Sequence, residues 1–182
     1  MLKYLRATRD YKLVFIKDSM RNDLIGFSDA NFGLEHRALC RSGIMVKLFG
    51  NLILWSSKLQ TIPAHSTVET ELYALDLTAR EMIYIQNLLD DLKFKVPKFV
   101  IYCDNLTTIY LCYNNLINSK TKHIERSFFY IKHHLKIDKI RLLHVPSKLQ
   151  LADILTKALP LEDHHKFVKM MRLFGPEVLD VY

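Results

Sequence analysis

The sequence predicts an α/β fold in which helices pack on a mixed β-sheet. Three short apolar segments joined by turns occupy the first third of the chain, a pattern typical of an antiparallel meander. A long amphipathic segment follows, and after it strands alternate with helices. The resulting order, β-β-β-α-β-α-α-β-α, favours a sheet of mixed direction that is covered by helices. A chain of 182 residues fits one domain with short extensions.

The predicted meander follows a leading segment, residues 1–20, that has the pattern of a helix end running into an extended chain. Each of the three strands is a brief apolar run bounded by turn residues, and they span 24–30, 42–49 and 52–57. Only Gly50 and Asn51 separate the second strand from the third, which indicates a two-residue hairpin.

A long amphipathic helix is predicted after the meander. Ser66 and Glu69 have the spacing of a capping box, which satisfies backbone N–H groups at the start of a helix. Apolar residues then recur at helical spacing as far as about Leu89, where Asp90 and Asp91 begin the exit.

The second half of the chain alternates between strands and helices. Residues 99–103 form a continuous apolar run, which indicates a strand buried on both faces, and Asp104 and Asn105 are suited to cap the next helix. The further predicted elements are a helix at 124–137, a strand at 140–145, a helix that starts at a second capping box of Ser147 and Gln150, and an amphipathic helix within 161–174.

The charge balance favours a polyanionic partner such as a nucleic acid. Lys and Arg number 26 against 19 Asp and Glu, which gives a formal net charge of +7. A solvated basic surface would account for the same excess, so the charge leaves both interpretations open. The three cysteines, Cys40, Cys103 and Cys112, lack CxxC spacing and argue against a disulfide framework or a structural zinc site.

Targeting signals are not recognisable in the sequence. Apolar runs such as 99–102 are far too short to span a bilayer, and the first residues mix charges with apolar side chains instead of forming a signal-peptide core. We therefore expect a soluble intracellular protein without a membrane partner. The expected location is cytoplasmic, with a virus-like particle or the nucleus as alternatives.

Four acidic residues stand out because each lies near the end of a predicted element with apolar neighbours. Asp29 ends the first strand, and Asp104 ends the strand at 99–103. Glu71 lies in the first turns of the long helix, and Asp153 lies near the start of the helix after Pro146. Carboxylates placed in this way are costly to bury unless something positive neutralises them.

Divalent cations would provide that neutralisation. Mg²⁺ prefers oxygen ligands, and two such ions about 3.5–4 Å apart can hold the attacking water and the leaving oxygen of a phosphodiester displacement. Four carboxylates from four elements are therefore suited to a metal-dependent nuclease. The alternative is that each acid is an ordinary cap or loop residue, since sequence spacing alone does not establish that the four meet.

Six short segments, several of which contain these acids, occur together in one order. They are GFSDANF (26–32), ILWSSKLQT (53–61), TELYAL (70–75), YCDN (102–105), TKHI (121–124) and HVPSKLQLADILTK (144–157). In this order they resemble the ribonuclease H region of copia-type retrotransposons. The opening LKYLRATRDYKLVF is similar to that family's segment between polymerase and ribonuclease H, and residues 157–175 are similar to its terminal helix. The resemblance covers nearly the whole chain.

The resemblance implies a ribonuclease H-like fold, with a five-stranded mixed sheet of three antiparallel strands and then parallel additions, and helices on both faces. It implies that Asp29, Glu71, Asp104 and Asp153 are catalytic and bind two Mg²⁺ ions, or Mn²⁺ in their place. By resemblance Asp29 bridges both ions, Glu71 and Asp104 hold the ion on the leaving-group side, and Asp153 holds the ion that activates water. Glu69 is the alternative to Glu71, which is preferred because the apolar run 72–75 follows it.

The implied activity is hydrolysis of the RNA strand of an RNA–DNA hybrid, and the implied partner is a reverse transcriptase domain of the same polyprotein. The 2′-hydroxyl is the group that distinguishes RNA from DNA. Lys120, Lys122 and His123 are candidate substrate contacts, with exposed loop charges as the alternative.

The resemblance also divides the chain into three expected parts. Residues 1–22 form a linker segment like the end of the polymerase connection, 23–160 form the ribonuclease H-like domain, and 161–182 form a C-terminal helix and tail.

Local departures from the family's pattern leave a second function open. Cys40 and Arg41 stand where the family usually has Ser or Thr, and Glu125 stands where an Asp commonly follows the KHI motif. The alternative is a catalytically decayed or host-adopted nucleic-acid-binding remnant of such a polyprotein. An integrase-type core is disfavoured, because it would need a late Glu where this chain has Asp153.

Overall fold

A computed structural model of the protein describes residues 2–18, 20–32, 40–61, 66–95, 99–114 and 125–176. The strands in this part of the chain are β1 (Lys12–Leu13), β2 (Leu24–Asn31), β3 (Arg41–Leu48), β4 (Asn51–Leu59), β5 (Phe99–Cys103), β6 (Ile140–His144) and β7 (Leu173–Phe174). The helices are α1 (Leu2–Thr8), α2 (Thr67–Asp91), α3 (Leu106–Tyr113), α4 (Glu125–Lys136) and α5 (Leu161–Met170), with 3₁₀ turns at Ser147–Leu149 and Leu151–Leu155.

The main sheet has five strands in the order β4-β3-β2-β5-β6. The β2–β3 and β3–β4 pairs are antiparallel, whereas β2–β5 and β5–β6 are parallel. The predicted mixed sheet, with a meander first and parallel strands added later, is therefore confirmed. Because β2 and β5 are parallel neighbours at the centre, their carboxyl ends meet at one edge of the sheet.

The β3–β4 hairpin turns one residue earlier than predicted. Leu48 pairs with Asn51, so the two loop residues are Phe49 and Gly50. Both have positive φ, 51° and 75°, which is the backbone conformation that a tight two-residue hairpin requires. Gly50 adopts it without cost, and Asn51 is free to begin β4.

Two apolar cores cover the two faces of the sheet. Successive residues of β3 show the division, because Val46 belongs to one core and Met45 to the other. The first core joins the sheet to α2, α3 and α4, through residues such as Leu75, Ile101 and Ile131. The second joins it to α5 and the 3₁₀ segment, through residues such as Leu151 and Phe167. Helices thus lie on both faces, as expected.

Helix α2 begins at the predicted cap. The Ser66 side chain accepts a hydrogen bond from the backbone N–H of Glu69 at 3.2 Å, which satisfies one of the free donors of the first turn. The helix runs for 25 residues along the sheet and buries Leu72, Leu75 and Ala79. Its first turns lie beside the end of β2, which brings Glu71 to the sheet edge described below.

The α-helix predicted to begin at Ser147 is wrong, because the chain forms two short 3₁₀ turns there instead. Ser147 does not cap a helix, and Gln150 is completely buried. The Gln150 amide donates to the carbonyl of Ser28 at 2.9 Å and accepts from the N–H of Ala152. These two bonds tie the segment to β2 and leave it in a short, irregular path that carries Asp153 to the sheet edge.

A segment after α1 and a segment after α5 pair in a small ribbon. Strands β1 and β7 pair in antiparallel fashion, and Arg172 donates to the Asn51 side chain at 2.6 Å. Helix α5, just before β7, buries Phe167 and Val168 against Met45 and Leu52 of the sheet. None of the helices in the described part of the chain has the length and apolar character that a membrane span requires.

Candidate active site at the end of the sheet

Three of the four predicted acids meet where the central strands end. Asp29 lies near the end of β2, Asp104 directly follows β5, and Asp153 lies in the second 3₁₀ turn. A carboxylate oxygen of each lies within 4.8 Å of one from each of the other two. Asp29 and Asp153 are almost completely buried, and Asp104 is half-buried. The parallel pairing of β2 and β5 accounts for the first two positions, and the anchored 3₁₀ segment accounts for the third.

Glu71 joins this cluster from the side of α2. Its carboxylate, the Cys103 Sγ and an Asp104 oxygen all lie within 4.8 Å of one another. Asp104 is therefore common to both groups, and all four predicted acids lie at one place. Glu69, the alternative, is buried but belongs to neither of the groups that the described residues form.

Burial makes the charged forms of these acids costly. Burial, together with the charges of Asp29 and Asp104, raises the pKa of Glu71 to about 9, against a smaller opposing effect from the backbone N–H of Ala30. Burial also raises the pKa of Asp29 and of Asp153. For Asp153 the charge of Asp29 adds to the effect of burial, so the pKa of Asp153 rises to about 7.

The arrangement fits a divalent cation. Glu71 Oε2 and Asp153 Oδ1 are buried oxygens without a hydrogen-bond partner in the described part of the chain. Unpaired buried carboxylate oxygens are unusual, because each costs free energy that a ligand would recover. The donor set consists of carboxylates, which are the ligands that Mg²⁺ and Mn²⁺ prefer. Asp29, Glu71, Asp104 and Asp153 are therefore able to hold such ions.

Lys157 lies within the acid cluster and is a residue of the site that the sequence motifs did not predict. Its ammonium is 2.9 Å from Asp153 Oδ2 and 4.0 Å from Asp29 Oδ2. Burial alone would lower the pKa of Lys157, but Asp29 and Asp153 outweigh that effect and raise it. The signal available in the sequence was the spacing of four residues between Asp153 and Lys157, which places opposite charges side by side in a helical turn.

Hydroxyl groups orient two of the aspartates. Thr156 Oγ1 donates a hydrogen bond to Asp29 Oδ2, and Ser147 Oγ donates to Asp104 Oδ2 at 2.8 Å. Asn105, rather than Asp104, caps α3 by accepting from the N–H of Thr108 at 3.0 Å. The capping role predicted for the pair is thus confirmed for Asn105, while the Asp104 side chain is left to the cluster.

Gly43 allows β3 to approach the segment that carries Asp153. It pairs with Asp29 across the β2–β3 ladder. A Cβ atom at this position would lie 2.6 Å from Thr156 Cγ2 and 2.9 Å from the carbonyl oxygen of Ala152. Only a residue without a side chain therefore permits this approach.

The three predicted substrate contacts, Lys120, Lys122 and His123, lie outside the described residues.

Comparisons with known proteins show similarity to transposon polyproteins. The chain is 35% identical over 161 residues to the retrovirus-related Pol polyprotein of transposon RE1 from Arabidopsis thaliana, which covers 87% of this chain and 11% of that protein. It is 31% identical over 177 residues to the corresponding polyprotein of transposon TNT 1-94 from Nicotiana tabacum, covering 96% of the chain and 13% of that protein. The chain thus spans about a tenth of the length of these relatives. No sequence model of a known protein family matches it.

Solved structures share the fold at low sequence identity. LC11-RNase H1, isolated from compost by a metagenomic approach, superposes with a TM-score of 0.57 at 17% identity, over 75% of this chain and 94% of that one. The same protein in complex with an RNA/DNA hybrid gives a TM-score of 0.57 at 14% identity, over 74% and 94% of the two chains. A prototype foamy virus protease-reverse transcriptase gives 0.50 at 13% identity, over 87% of this chain and 22% of that one. Sequence and fold together identify this chain as a region of the copia-type Pol polyproteins that has an RNase H-like structure.

Proposed function

We propose that this region is a metal-dependent endoribonuclease that cleaves the RNA strand of RNA–DNA hybrids. The observation that carries the proposal is the meeting of Asp29, Asp104 and Asp153 within 4.8 Å at the end of the central strands, with Glu71 adjacent. The complex of LC11-RNase H1 with a hybrid supports this substrate class, because that protein has the same fold.

The proposed cofactor is a pair of Mg²⁺ ions, or Mn²⁺. When bound, such ions activate water and stabilise the leaving oxygen of the phosphodiester. In the proposed assignment Glu71 and Asp104 would hold the ion that stabilises the leaving oxygen, and Asp153 would hold the ion that activates water. Asp29 would be a ligand shared by both ions. Asp104 is the alternative for that role, because it belongs to both groups of candidate metal ligands.

The chain's own residues have separate roles in this proposal. Thr156 and Ser147 fix the orientation of Asp29 and Asp104 through their hydroxyl hydrogen bonds. Lys157 places a positive charge beside Asp29 and Asp153, and in this proposal that charge attracts a phosphate group of the substrate. Cleavage leaves a 5′-phosphate and a 3′-hydroxyl.

Substrate binding is proposed to involve more of the surface than the acids. The net charge of +7 favours contact with a nucleic-acid backbone, and Lys120, Lys122 and His123 remain the proposed contacts. A reverse transcriptase domain of the same polyprotein is the proposed partner. The foamy virus chain supports this, because one polypeptide there carries protease and reverse transcriptase together with a region similar to this fold.

Cleavage of an end-labelled RNA–DNA hybrid tests the function directly. The protein is expected to cut the RNA strand only when Mg²⁺ or Mn²⁺ is present and to leave a DNA–DNA duplex of the same sequence intact. Asp104→Asn removes one ligand charge with little change in shape, so we expect cleavage to fall by at least a hundredfold while the thermal unfolding midpoint stays close to that of the wild type. Full activity in that variant would contradict the assignment.

A second candidate is a nucleic-acid-binding region without catalysis. The observation that favours it is the position of Lys157, whose ammonium partly neutralises Asp29 and Asp153 without any metal. Hybrid binding by the folded protein without metal-dependent cutting would support this candidate. Adding the polymerase part of the polyprotein would then show whether the isolated region lacks only its partner.

A further inference from the structure

Cys103 is a buried thiol inside the acidic site. It is a free cysteine and is fully shielded from solvent. Its Sγ lies within 4.8 Å of carboxylate oxygens of Glu71 and Asp104. The backbone N–H of Asn105 donates to the sulfur at 3.4 Å, which holds the thiol at the end of β5 facing the two acids.

Glu71 gives independent reason to regard this corner as a ligand site. The residue is only 5% exposed, and its Oε2 has no hydrogen-bond partner in the described part of the chain. A buried carboxylate oxygen with no partner costs free energy, and a bound cation would recover it. The unpaired oxygen and the thiol belong to side chains that converge with Asp104.

We propose that Glu71, Cys103 and Asp104 form a mixed sulfur–oxygen site for one soft divalent ion of the Zn²⁺ or Cd²⁺ class. We further propose that this ion inhibits the nuclease, since it takes two carboxylates that the hard ions need. The inhibition, but not the binding, rests on the function proposed above.

Ligand chemistry separates the two classes of ion. Thiolates select soft ions such as Zn²⁺, whereas Mg²⁺ prefers an all-oxygen set. Zinc lies about 2.3 Å from sulfur and about 2.0–2.2 Å from carboxylate oxygen, so tetrahedral ligands lie roughly 3.4–3.6 Å apart. The ligand atoms of Glu71, Cys103 and Asp104 lie within 4.8 Å of one another, so binding requires them to move closer together. On binding, the Cys103 S–H bond and the Glu71 O–H bond break, sulfur–metal and oxygen–metal bonds form, and both protons pass to water without any change of oxidation state.

The other cysteines provide matched controls. Cys40 and Cys112 are also free and buried, but neither belongs to a group of candidate metal ligands in the described part of the chain. Cys112 belongs to α3 and is buried in the first core. The proposal therefore assigns the soft-ion affinity to one thiol of the three.

Titration of the full chain with Cd²⁺, under reducing conditions and without Mg²⁺, tests the site. A Cd–S bond gives a charge-transfer absorption in the ultraviolet. We expect this band to saturate at one ion per chain in the wild type and in Cys112→Ser, and to be lost in Cys103→Ser. Glu71→Gln, which retains every thiol, is expected to weaken Cd²⁺ binding by about tenfold or more. This second variant keeps the test decisive even if Cys103→Ser fails to fold.

The outcomes separate the inference from the proposed function. A band of equal size in Cys103→Ser, no band in the wild type, or unchanged affinity in Glu71→Gln would overturn the site. Millimolar Mg²⁺ is expected to raise the Cd²⁺ concentration at half-saturation, because both ions use Glu71 and Asp104; no competition would overturn the shared-ligand claim. A protein that binds Cd²⁺ in this way but cuts no hybrid would retain the site and lose the nuclease. A protein that cuts hybrids but shows no Cd–S band would support the nuclease and overturn the soft-ion site.

Discussion

Glu71 shows how strongly single side chains in this site depend on a counter-charge. Its pKa near 9 means that the metal-free protein keeps a proton on this carboxyl at neutral pH. A bound cation would replace that proton and stabilise the charged form. Binding of the proposed ions is therefore expected to release protons and to strengthen as the pH rises.

The same pKa predicts how the stability of the metal-free protein depends on pH. Because the folded-state pKa of Glu71 is raised from 4.5 to about 9, the folded protein retains a proton that the unfolded chain releases. Its contribution to stability is therefore fully present below pH 4.5 and is lost as the pH rises towards 9. Denaturant unfolding in a chelator across this range should show decreasing stability.

Glu71→Gln serves as the test variant for that pH dependence. An amide cannot titrate, so the variant should show a shallower decline than the wild type, while Glu162→Gln on the exposed start of α5 should follow the wild type. An equally steep decline in Glu71→Gln would mean that other groups, such as Asp29 and Asp153, account for the effect.

Lys157 is predicted to compete with metal ions. Replacing it by Met removes an ammonium that lies 2.9 Å from Asp153 and 4.0 Å from Asp29. We expect Mn²⁺ affinity, measured by calorimetry, to rise by roughly threefold to tenfold. The change is modest because the Lys157–Asp153 ion pair is partly exposed. The metal-free variant should also unfold at a lower temperature. Lys136→Met, at an exposed position of α4, is the control, and weaker Mn²⁺ binding in Lys157→Met would show that the lysine assists the ion.

The sequence allowed the four acids to be selected but not their neighbours. Each acid was recognisable because a carboxylate beside apolar residues at the end of an element is costly. Thr156 and Lys157 follow Asp153 in the chain, but their approach to Asp29 depends on how the 3₁₀ segment crosses β2. Cys103 was visible as an odd cysteine, and only the fold shows that its sulfur faces Glu71.

At the scale of elements, Asp153 depends on an irregular segment that side-chain hydrogen bonds and close packing hold against the sheet. Gln150 ties that segment to β2, and Gly43 lets it lie directly against β3. Helix α2 and strand β5, by contrast, are regular elements that pack in the first core. The position of Asp153 is therefore more sensitive to substitution than that of Glu71 or Asp104.

Gly43→Ala tests this dependence. The added Cβ would lie 2.9 Å from a backbone oxygen, that of Ala152, so the 3₁₀ segment must shift. We expect a loss of about 1–3 kcal/mol in the free energy of unfolding, which is typical of overpacking. Mn²⁺ affinity should also fall. Gly175→Ala is the control, since its nearest contact is the ring of Tyr11 at 3.1 Å; unchanged stability and affinity in Gly43→Ala would contradict the close approach.

Elements with a clear period were predicted well, and short ones were not. Strand β5 has the predicted bounds because a continuous apolar run flanked by polar residues has few alternatives. The segment after Pro146 resembled a helix start, but Gln150 uses its side chain to bind β2 instead of completing a capping box. Strands β1 and β7 have two residues each, which is too short for any periodic signal.

At the scale of the whole molecule, the division at residue 160 remains a proposal. Helix α5 lies beyond it and buries Phe167 and Val168 against the sheet. The region is also about a tenth of the length of its relatives. We propose that further parts of such a polyprotein contribute to substrate binding.

Hybrid binding is predicted to depend steeply on salt. A basic molecule that contacts phosphates releases counterions, and each contact adds about 0.9 to the slope of log affinity against log salt. Lys120→Ala with Lys122→Ala should therefore lower that slope by about two, measured by fluorescence anisotropy in a chelator. Lys136→Ala with Lys139→Ala, two lysines near the end of α4, is the control for net charge. Equal slopes in both double variants would show that Lys120 and Lys122 make no direct contact with the phosphates.

The β1–β7 ribbon makes the chain's path nearly circular. Residues 12–13 lie beside 173–174, so the two segments that flank the main sheet in sequence meet in one small area. A permuted chain with the ends joined by a short linker and new termini in the Phe49–Gly50 turn should keep every strand neighbour of the main sheet. Tension applied between residues 12 and 174 would separate strands β1 and β7 first. The main sheet, which carries the acids, would come under tension only after these two strands had separated.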